Sequence, residues 1–444
     1  MIARADLAKA GLMVLALNGW LAGCAEKEEI LPGPRLDLRA VLDESQPAAK
    51  PPTGKPEPAN LPAQSVNRDW THRGGNVQHQ QGHPALGQTL TPLWVVSIGA
   101  ADGRQHRITA EPVIAAERIY TLDSRSTVAA VNTRGAVLWS RDLTPANESA
   151  DDASGGGLAF AGGRLFVTSG FGVLSALDAA TGSVIWSQRF DAPVSAAPTV
   201  EGDLVFVVAE DSSAWAIAAE SGRLRWQLPG TATIAGVVGG PGPAISGQMV
   251  ILPFPSGEVQ GVRKDSGLKI WQANVAGNRL GRASAFVPDI TGGPVISGNR
   301  AYIGNQGGRL AALDIASGKR LWTAAEGIYG GVLAVGGSLF VVTDAAQLLR
   351  LDAGSGAPIW AVDLPEFTTD KVKKLKDIYA NYGPLLAGGR LIVASGDGLI
   401  RQFDPLSGAL IGTLELGGAA ASSPVVVGGV LYLVTTDGKL HAFR

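Results

Sequence analysis

The stretch LSALDAATGSVIW, residues 174–186, decides the fold, because related stretches recur along the chain. The best copies are LAALDIASGKRLW at 310–322 and LLRLDAGSGAPIW at 348–360. The more divergent or shorter copies are VAAVNTRGAVLW (128–139), WAIAAESGRLRW (215–226), VQGVRKDSGLKIW (259–271) and IRQFDPLSGALIG (400–412). Internal repetition of this kind is typical of solenoids and propellers.

Each copy has the pattern of two β-strands joined by a tight turn. At the turn, Asp178 can accept hydrogen bonds from the backbone amides that follow it, and Gly182 tolerates positive φ. Two further strands precede each copy, as in GPVISGNRAYIGN at 293–305. The sequence therefore predicts four strands in every repeat.

The eighth copy is split between the two ends of the folded body. LHAFR at 440–444 ends the chain, and TPLWVVSIG at 91–99 begins the body. The copies follow one another about every 40 to 50 residues, which is the length of a four-stranded propeller blade. We therefore predict an all-β fold: an eight-bladed β-propeller of four-stranded antiparallel blades. Pairing of the N- and C-terminal strands would close the ring and remove the exposed sheet edges.

Tryptophan closes seven of the eight copies, and Gly412 stands in the eighth place. These side chains could stack on a ligand, or each could fill the gap between two blades. One ligand cannot contact seven residues spread around a ring, so we predict structural plugs between blades. They are Trp94, Trp139, Trp186, Trp226, Trp271, Trp322 and Trp360. Trp70 lies outside the repeat, and we expect it to contribute less to stability.

The N-terminal residues have the pattern of a secreted lipoprotein. The apolar run from Ala10 to Trp20 is shorter than the roughly 20 residues of a membrane span but suits a signal peptide. It leads into Leu-Ala-Gly-Cys, which resembles a bacterial lipobox. We predict a lipoprotein signal peptide at 1–23 and a lipid anchor on Cys24, the one cysteine of the chain. The alternative is an ordinary signal peptide with an incidental cysteine.

The composition changes after the signal peptide and again near residue 67. Proline recurs among alanine, lysine and glutamate up to residue 66, a composition typical of an extended tether. We therefore predict a tether at 24–66 and the propeller at 67–444. The net charge of −2 argues against nucleic acid as a partner, because phosphate binding requires a basic surface.

The pattern Ala-x-Asp-x-x-Thr-Gly-x-x-x-Trp resembles the repeat of pyrroloquinoline-quinone propellers, from about residue 91 to 444. A lipobox followed by one such propeller resembles the BamB family. The resemblance implies a non-enzymatic scaffold lipoprotein of the β-barrel assembly machinery, anchored through Cys24 at the periplasmic face of the outer membrane. It further implies binding to the periplasmic POTRA domains of the barrel-forming component, which assists the folding and insertion of β-barrel proteins.

Two other functions stay open. A quinoprotein dehydrogenase has the same repeat, but such enzymes carry adjacent cysteines, a Ca²⁺ site and a catalytic aspartate. This chain has one cysteine, and its dense acidic pair, Asp151-Asp152, lies in a loop rich in small residues. We therefore predict no catalytic residue and no cofactor. A general periplasmic propeller that binds a ligand or a protein is the second alternative.

Three histidines, His72, His79 and His83, cluster ahead of the first strand, and three imidazoles could bind zinc. No neighbouring thiol or carboxylate completes the set. The glycines between them suggest an irregular segment that crosses the propeller body, so we predict no metal site.

The connections between strands are unequal in length. Short turns share one face of the predicted disc, and long connections from one blade to the next lie on the other. The long ones are Leu143–Gly157, Leu228–Pro243, Gln272–Gly293 and Pro365–Gly383. Because long loops on a rigid scaffold carry binding residues, we expect the partner on this face.

Two of these connections, Leu228–Pro243 and Gln272–Gly293, follow consecutive blades and should be neighbours. An apolar patch beside arginine and an aromatic residue is suited to an interface core. The candidate partner-binding residues are Val237, Val238, Arg279, Arg282, Phe286 and Asp289. The resemblance to the BamB family places Val237, Val238 and Asp289 nearest to that family's partner-binding positions.

Overall fold

The computed structural model describes residues 58–233, 236–276, 287–369, 371 and 377–444. This part of the chain forms eight four-stranded antiparallel sheets and contains no helix. The predicted eight-bladed propeller is therefore confirmed. The predicted signal peptide, Cys24 and most of the tether lie outside the described residues.

The strands are numbered in chain order, and every blade except the last takes four consecutive strands, from the inner edge outward. Blade 1 consists of β2 (Val113–Ala115), β3 (Arg118–Leu122), β4 (Thr127–Asn132) and β5 (Val137–Asp142), and blade 2 of β6 (Gly156–Ala161), β7 (Arg164–Ser169), β8 (Val173–Asp178) and β9 (Val184–Arg189). Blade 3 consists of β10 (Thr199–Glu201), β11 (Leu204–Val208), β12 (Ser213–Ala218) and β13 (Leu224–Pro229), and blade 4 of β14 (Ala244–Ser246), β15 (Met249–Pro253), β16 (Glu258–Arg263) and β17 (Lys269–Asn274).

Blade 5 consists of β18 (Ile290–Ser297), β19 (Arg300–Asn305), β20 (Arg309–Asp314) and β21 (Arg320–Ala324). Blade 6 consists of β22 (Leu333–Val335), β23 (Ser338–Val342), β24 (Gln347–Asp352) and β25 (Pro358–Asp363). Blade 7 consists of β26 (Asn381–Ala387), β27 (Arg390–Ser395), β28 (Leu399–Phe403) and β29 (Leu410–Glu415). Blade 8 consists of β30 (Val425–Val427), β31 (Val430–Thr435), β32 (Lys439–Phe443) and β1 (Pro92–Ser97).

The ring is closed by β1, which pairs with β32 as the split repeat predicts. Trp94 lies opposite Ala442, and Val96 lies opposite Leu440. Just beyond these strands, Thr91 and Arg444 exchange two backbone hydrogen bonds of 2.7 and 2.9 Å. The N-terminal strand thus supplies the outer edge of a blade whose other three strands come from the C-terminus.

The repeated turn is held by its own aspartate. Asp178 Oδ1 accepts hydrogen bonds from the backbone amides of Ala180 (3.1 Å) and Thr181 (2.8 Å) and from the Thr181 hydroxyl. These bonds hold the pKa of Asp178 below its usual range. Gly182 completes the turn at a φ of +71°, which glycine adopts without strain.

The core lies between the blades rather than at one centre. The inner strands of blades 1 to 7 stand side by side around the channel, and the second strands are almost wholly buried. In one interblade cluster, Phe166 and Ala176 of blade 2 pack with Val205 and Val207 of blade 3. Each blade therefore stabilises the next, as in other propellers.

Each of the seven repeat tryptophans lies against the turn glycine of the following blade. The Trp186 ring packs on Gly222, and its Nε1 donates to Ala219 O at 3.0 Å. All except Trp360 donate in the same way to a backbone carbonyl of the next blade. Trp360 nevertheless packs on Gly408 and is only 3% exposed. These contacts suit interblade plugs, whose energetic role stays a prediction.

The burial of Trp70 argues against the expectation that it contributes less to stability than the repeat tryptophans. Its side chain is 2% exposed and belongs to the hydrophobic cluster that joins blades 7, 8 and 1. Its backbone exchanges hydrogen bonds of 2.7 and 2.8 Å with Ile114 of β2. The repeat pattern could not reveal this packing, because Trp70 belongs to a segment outside the blades.

That segment, residues 58–91, is here called the N-terminal strap. It forms at least one hydrogen bond with each of the eight blades. Its bonding partners in blades 1 to 8 are Ile114, Phe160, Val200, Ile245, Ile296, Arg350, Gly388 and Val426. Several contacts fall at the short turns between first and second strands, as where Asn60 lies against Gly336. The strap therefore lies across the ring on the turn face, and its contacts begin before residue 67.

The three strap histidines are spread over different blades. His72 Nε2 lies 3.0 Å from the Val200 amide in blade 3, and His79 Nδ1 lies 2.8 Å from Pro294 O in blade 5. His83 Nε2 accepts from the Gly389 amide in blade 7 at 2.9 Å. These rings therefore attach the strap to the ring at separate points instead of forming one cluster.

Candidate partner-binding face

The long connections meet around the open end of the channel, on the face opposite the short turns. A cavity of about 570 Å³ opens there, and its wall includes Thr109, Val238, Tyr329 and Ile378. These residues belong to four different connections between blades. The connection at 98–112, between β1 and β2, was missed by sequence analysis because the split repeat begins just before it.

Apolar side chains are exposed at this opening. Val238 is 49% exposed, Tyr329 43% and Ile378 53%. They come from three connections, so they form a discontinuous apolar rim above the channel. Exposed apolar and aromatic groups on a rigid scaffold are what the core of a protein–protein interface requires.

Residues 236–240, here called the valine loop, contain the predicted candidates Val237 and Val238. The Val237 amide donates to Asp289 Oδ2 at 2.5 Å, so the connections after blades 3 and 4 touch, as their positions in the ring require. Gly239 has a φ of +81° and lies against Thr109, where a Cβ would come within 2.8 Å of the threonine Cβ. Glycine is therefore needed for this path of the loop.

Arg73 of the strap holds the other side of the valine loop. Its Nη1 donates to the carbonyl oxygens of Gly239 and Gly240 at 3.1 and 3.0 Å. Its Nε lies 3.6 Å from Glu111 Oε1, and Glu111 Oε2 accepts from the Gly74 amide at 3.1 Å. An arginine that enters the channel from the strap thus reaches the loop at the opposite face.

Asp289, one of the candidate partner-binding residues, lies beneath the valine loop and is only 4% exposed, so its side chain is not part of the exposed surface. Its pKa is raised to about 7, chiefly by burial and to a smaller extent by the nearby Glu210 carboxylate. Hydrogen bonds from the amides of Val237 and Ile290 oppose this rise. Its placement makes it a support for the loop rather than a contact for a partner.

The remaining candidates, Arg279, Arg282 and Phe286, lie outside the described residues. Of the predicted set, the structure therefore brings together Val237, Val238 and Asp289. Arg73 and Glu111 are additional site residues that sequence analysis missed. No local signal could have found them, because Arg73 is separated from Gly239 by 166 residues along the chain.

The charged side chains that line the opening form hydrogen bonds or ion pairs with other groups of the protein. Asp102 Oδ1 accepts from the Ile108 amide at 2.7 Å, while its Oδ2 lies 3.4 Å from Arg107 Nη1. Burial raises the pKa of Asp102, and it raises the pKa of Tyr382 to about 12. Within the described ranges, no group of three His, Cys, Asp or Glu side chains is arranged to hold a metal ion.

A membrane-spanning helix is also absent from the described residues, since none of them forms a helix of the necessary length and hydropathy.

Comparison with known families gives one consistent result. The family described as outer membrane protein assembly factor BamB matches residues 124–362 and 355–444. A relative with that name from Moranella endobia is 22% identical over 363 residues, which cover 79% of this chain and 89% of the relative. Another, from Burkholderia pseudomallei, is 24% identical over 358 residues and covers 79% and 87%.

Solved structures show the same fold. BamB from Moraxella catarrhalis superposes with a TM-score of 0.66 at 19% identity, covering 80% of this chain and 100% of that chain. Quinohemoprotein alcohol dehydrogenase from Comamonas testosteroni gives a TM-score of 0.63 at 15% identity, with 85% and 81% covered. At these identities the two likenesses establish the propeller architecture alone.

Proposed function

The chain belongs to the family of outer membrane protein assembly factor BamB, and from that membership we propose that it is a non-enzymatic scaffold of the β-barrel assembly machinery. In this proposal it binds the periplasmic POTRA domains of the barrel-forming component. It thereby assists the folding and insertion of β-barrel proteins in the outer membrane. Lipidated Cys24 holds it at the periplasmic face of that membrane.

The observation that carries the proposal is the apolar rim on the loop face. The exposed Val238 is presented by a loop that Asp289 and Arg73 hold from below. A rigid apolar tip loses little conformational freedom on binding, which favours affinity. The polar groups around it are engaged in structural bonds, which supports a binding role over catalysis.

Charge placed on this tip tests the proposal. Val238→Glu puts a carboxylate where the partner would exclude water, while the Val237 amide can still donate to Asp289. An unpaired charge in an interface costs a few kcal/mol, so we expect at least a tenfold loss of affinity for the POTRA domains. Calorimetry measures the affinity, and circular dichroism checks the fold.

The matched control is Lys319→Glu. Lys319 is exposed in the turn between β20 and β21, on the opposite face of the disc. We expect this variant to bind as the wild type does. Loss of binding with Lys319→Glu and normal binding with Val238→Glu would place the partner on the turn face and contradict the proposal.

The enzymatic alternative has its own assay. Purified protein supplied with pyrroloquinoline quinone, Ca²⁺ and primary alcohols should reduce no redox dye above the background rate. Dye reduction that required both the quinone and Ca²⁺ would favour a quinoprotein dehydrogenase instead.

A further inference from the structure

We infer that Arg73 is a positioning residue for the partner-binding surface: through it, the N-terminal strap holds the valine loop in the conformation that receives the partner. The inference rests on the proposed function, because it assigns partner binding to that loop. It gives the strap a role beyond filling one face of the ring. Through the Arg73 side chain, the strap on the turn face supports a loop on the opposite face.

The backbone at Arg73 is held in place by hydrogen bonds and by buried neighbours. Arg73 lies at the tip of a tight turn, in which the Thr71 amide donates to Gly75 O at 3.0 Å and the Gly75 amide donates to His72 O at 2.9 Å. The residues before it, Trp70 and His72, are 2% and 3% exposed and bonded to blades 1 and 3. The turn therefore cannot shift without breaking contacts in two blades.

The direction of the Arg73 side chain is set by a neighbouring carboxylate. Glu111, whose side chain is 12% exposed, lies beside the guanidinium and accepts a hydrogen bond from the neighbouring Gly74 amide. This carboxylate fixes the path of the arginine toward the carbonyls of Gly239 and Gly240. Hydrogen bonds from a charged donor in a partly buried site are stronger than neutral ones.

The valine loop is held by hydrogen bonds between its backbone and side chains of other segments. It lies in the connection between β13 and β14, outside any sheet ladder. Two side chains from distant segments hold its backbone: Asp289 binds the Val237 amide, and Arg73 binds the two carbonyls that follow Val238. Val238 is therefore presented between two fixed points. Removing one of them frees the loop, and the partner must then order it at an entropic cost.

Three variants test the inference on the full-length protein. Arg73→Ala removes the support, and Arg73→Lys keeps the charge but loses the fork of donors. Arg223→Ala is the control, since Arg223 is exposed in a turn of the opposite face. The readouts are hydrogen exchange at amides 236–240, the melting temperature, and the Kd for the POTRA domains by calorimetry.

We expect at least tenfold faster exchange at 236–240 in Arg73→Ala, with slow exchange retained in the blade strands. We expect its Kd to rise about tenfold, Arg73→Lys to be intermediate, and Arg223→Ala to match the wild type. Partial recovery with lysine would distinguish positioning from a general loss of folding.

Unchanged exchange in Arg73→Ala would overturn the support itself. Faster exchange with an unchanged Kd, while Val238→Glu still weakens binding, would overturn the link to the partner and leave the proposed function standing. A wild-type protein that failed to bind the POTRA domains would overturn the proposed function and this link with it. The exchange measurement would still decide whether Arg73 holds the loop.

Discussion

At the scale of single residues, the buried titratable groups hold pKa values displaced in opposite directions. Burial lowers the pKa of His72 to about 4 and that of His79 to about 3, so these two strap histidines are neutral at pH 7. The contribution of such groups to the free energy of unfolding is complete above pH 6.5, and it is lost as the pH falls toward their pKa values in the folded protein. Burial raises the pKa of Asp289, so its contribution changes with pH in the opposite sense.

Asp289→Asn isolates that contribution. The folded pKa of Asp289 is about 7 against an ordinary value of 3.8. Its contribution to stability is therefore complete below pH 3.8 and is lost as the pH rises through 7. Asparagine can still accept from the Val237 amide without carrying a charge. We expect the variant to gain on the order of 2 kcal/mol relative to wild type between pH 5 and pH 8.

Urea unfolding of both proteins at several pH values measures this difference, and comparison of the two cancels the opposing effect of the histidines. A difference that stays constant between pH 5 and pH 8 would contradict the placement of a buried, titrating carboxylate beneath the valine loop.

Trp186 tests the interblade plugs. Its ring packs on Gly222 and lies 6.0 Å from the Phe166 ring, and its Nε1 donates to Ala219 O. Trp186→Ala empties this space, and we expect a cost of about 3 kcal/mol, the low end for a large aromatic because the site is half-buried. Trp70→Ala should cost at least as much, because Trp70 is only 2% exposed.

Thermal unfolding monitored by circular dichroism compares these variants with Val184→Ala, which truncates a 48% exposed side chain on the same outer strand. A shift for Trp186→Ala no larger than that for Val184→Ala would count against the plug.

At the scale of elements, the sequence predicts what is local and misses what is long-range. The Asp178 turn closes on the next few residues, so its pattern is visible in the sequence and recurs at Asp314, Asp352 and Asp404. The strap has no such pattern, because its bonds join it to distant blades, as His72 does with Val200. The loop candidates fall between these cases. The order of blades brings Val237 near Asp289, but only the fold decides that the carboxylate points inward.

Closure of the ring depends on β32, so we expect a short deletion in this strand to disrupt the fold. β32 lies between β1 and β31, so removing Leu440–Arg444 leaves two strands with unpaired edges. Exposed edges recruit other chains. We expect aggregation or loss of folded protein instead of a modest decrease in melting temperature, measured by size-exclusion chromatography.

Deletion of Arg444 alone is the control, because it removes the hydrogen bonds with Thr91 and leaves β32 in place. This variant should remain monomeric. A monomeric protein with an unchanged melting temperature after the longer deletion would contradict closure through β1 and β32.

At the scale of the whole molecule, the two faces of the disc carry different segments of the chain. The turn face carries the strap, and Pro58 O there accepts from Arg350 Nη2 at 3.1 Å, so the chain joins the ring on this side. The loop face carries the valine loop and the apolar rim. The attachment to a membrane, if it comes through the segment before residue 58, therefore enters on the face opposite the proposed partner.

This separation predicts that anchoring and binding can be lost independently. Cys24→Ser removes the thiol that would be lipidated, and stable anchoring requires more than one acyl chain. We expect the variant to fractionate with soluble periplasmic protein while its purified form binds the POTRA domains with the wild-type Kd. Ser45→Ala, a comparable change within the predicted tether, should stay in the membrane fraction. If Cys24→Ser remained in the membrane pellet after a salt wash, the lipid anchor would be wrong. If it left the membrane but also lost affinity in solution, the two faces would be coupled, and the lipidated end would have to contribute to the binding surface itself.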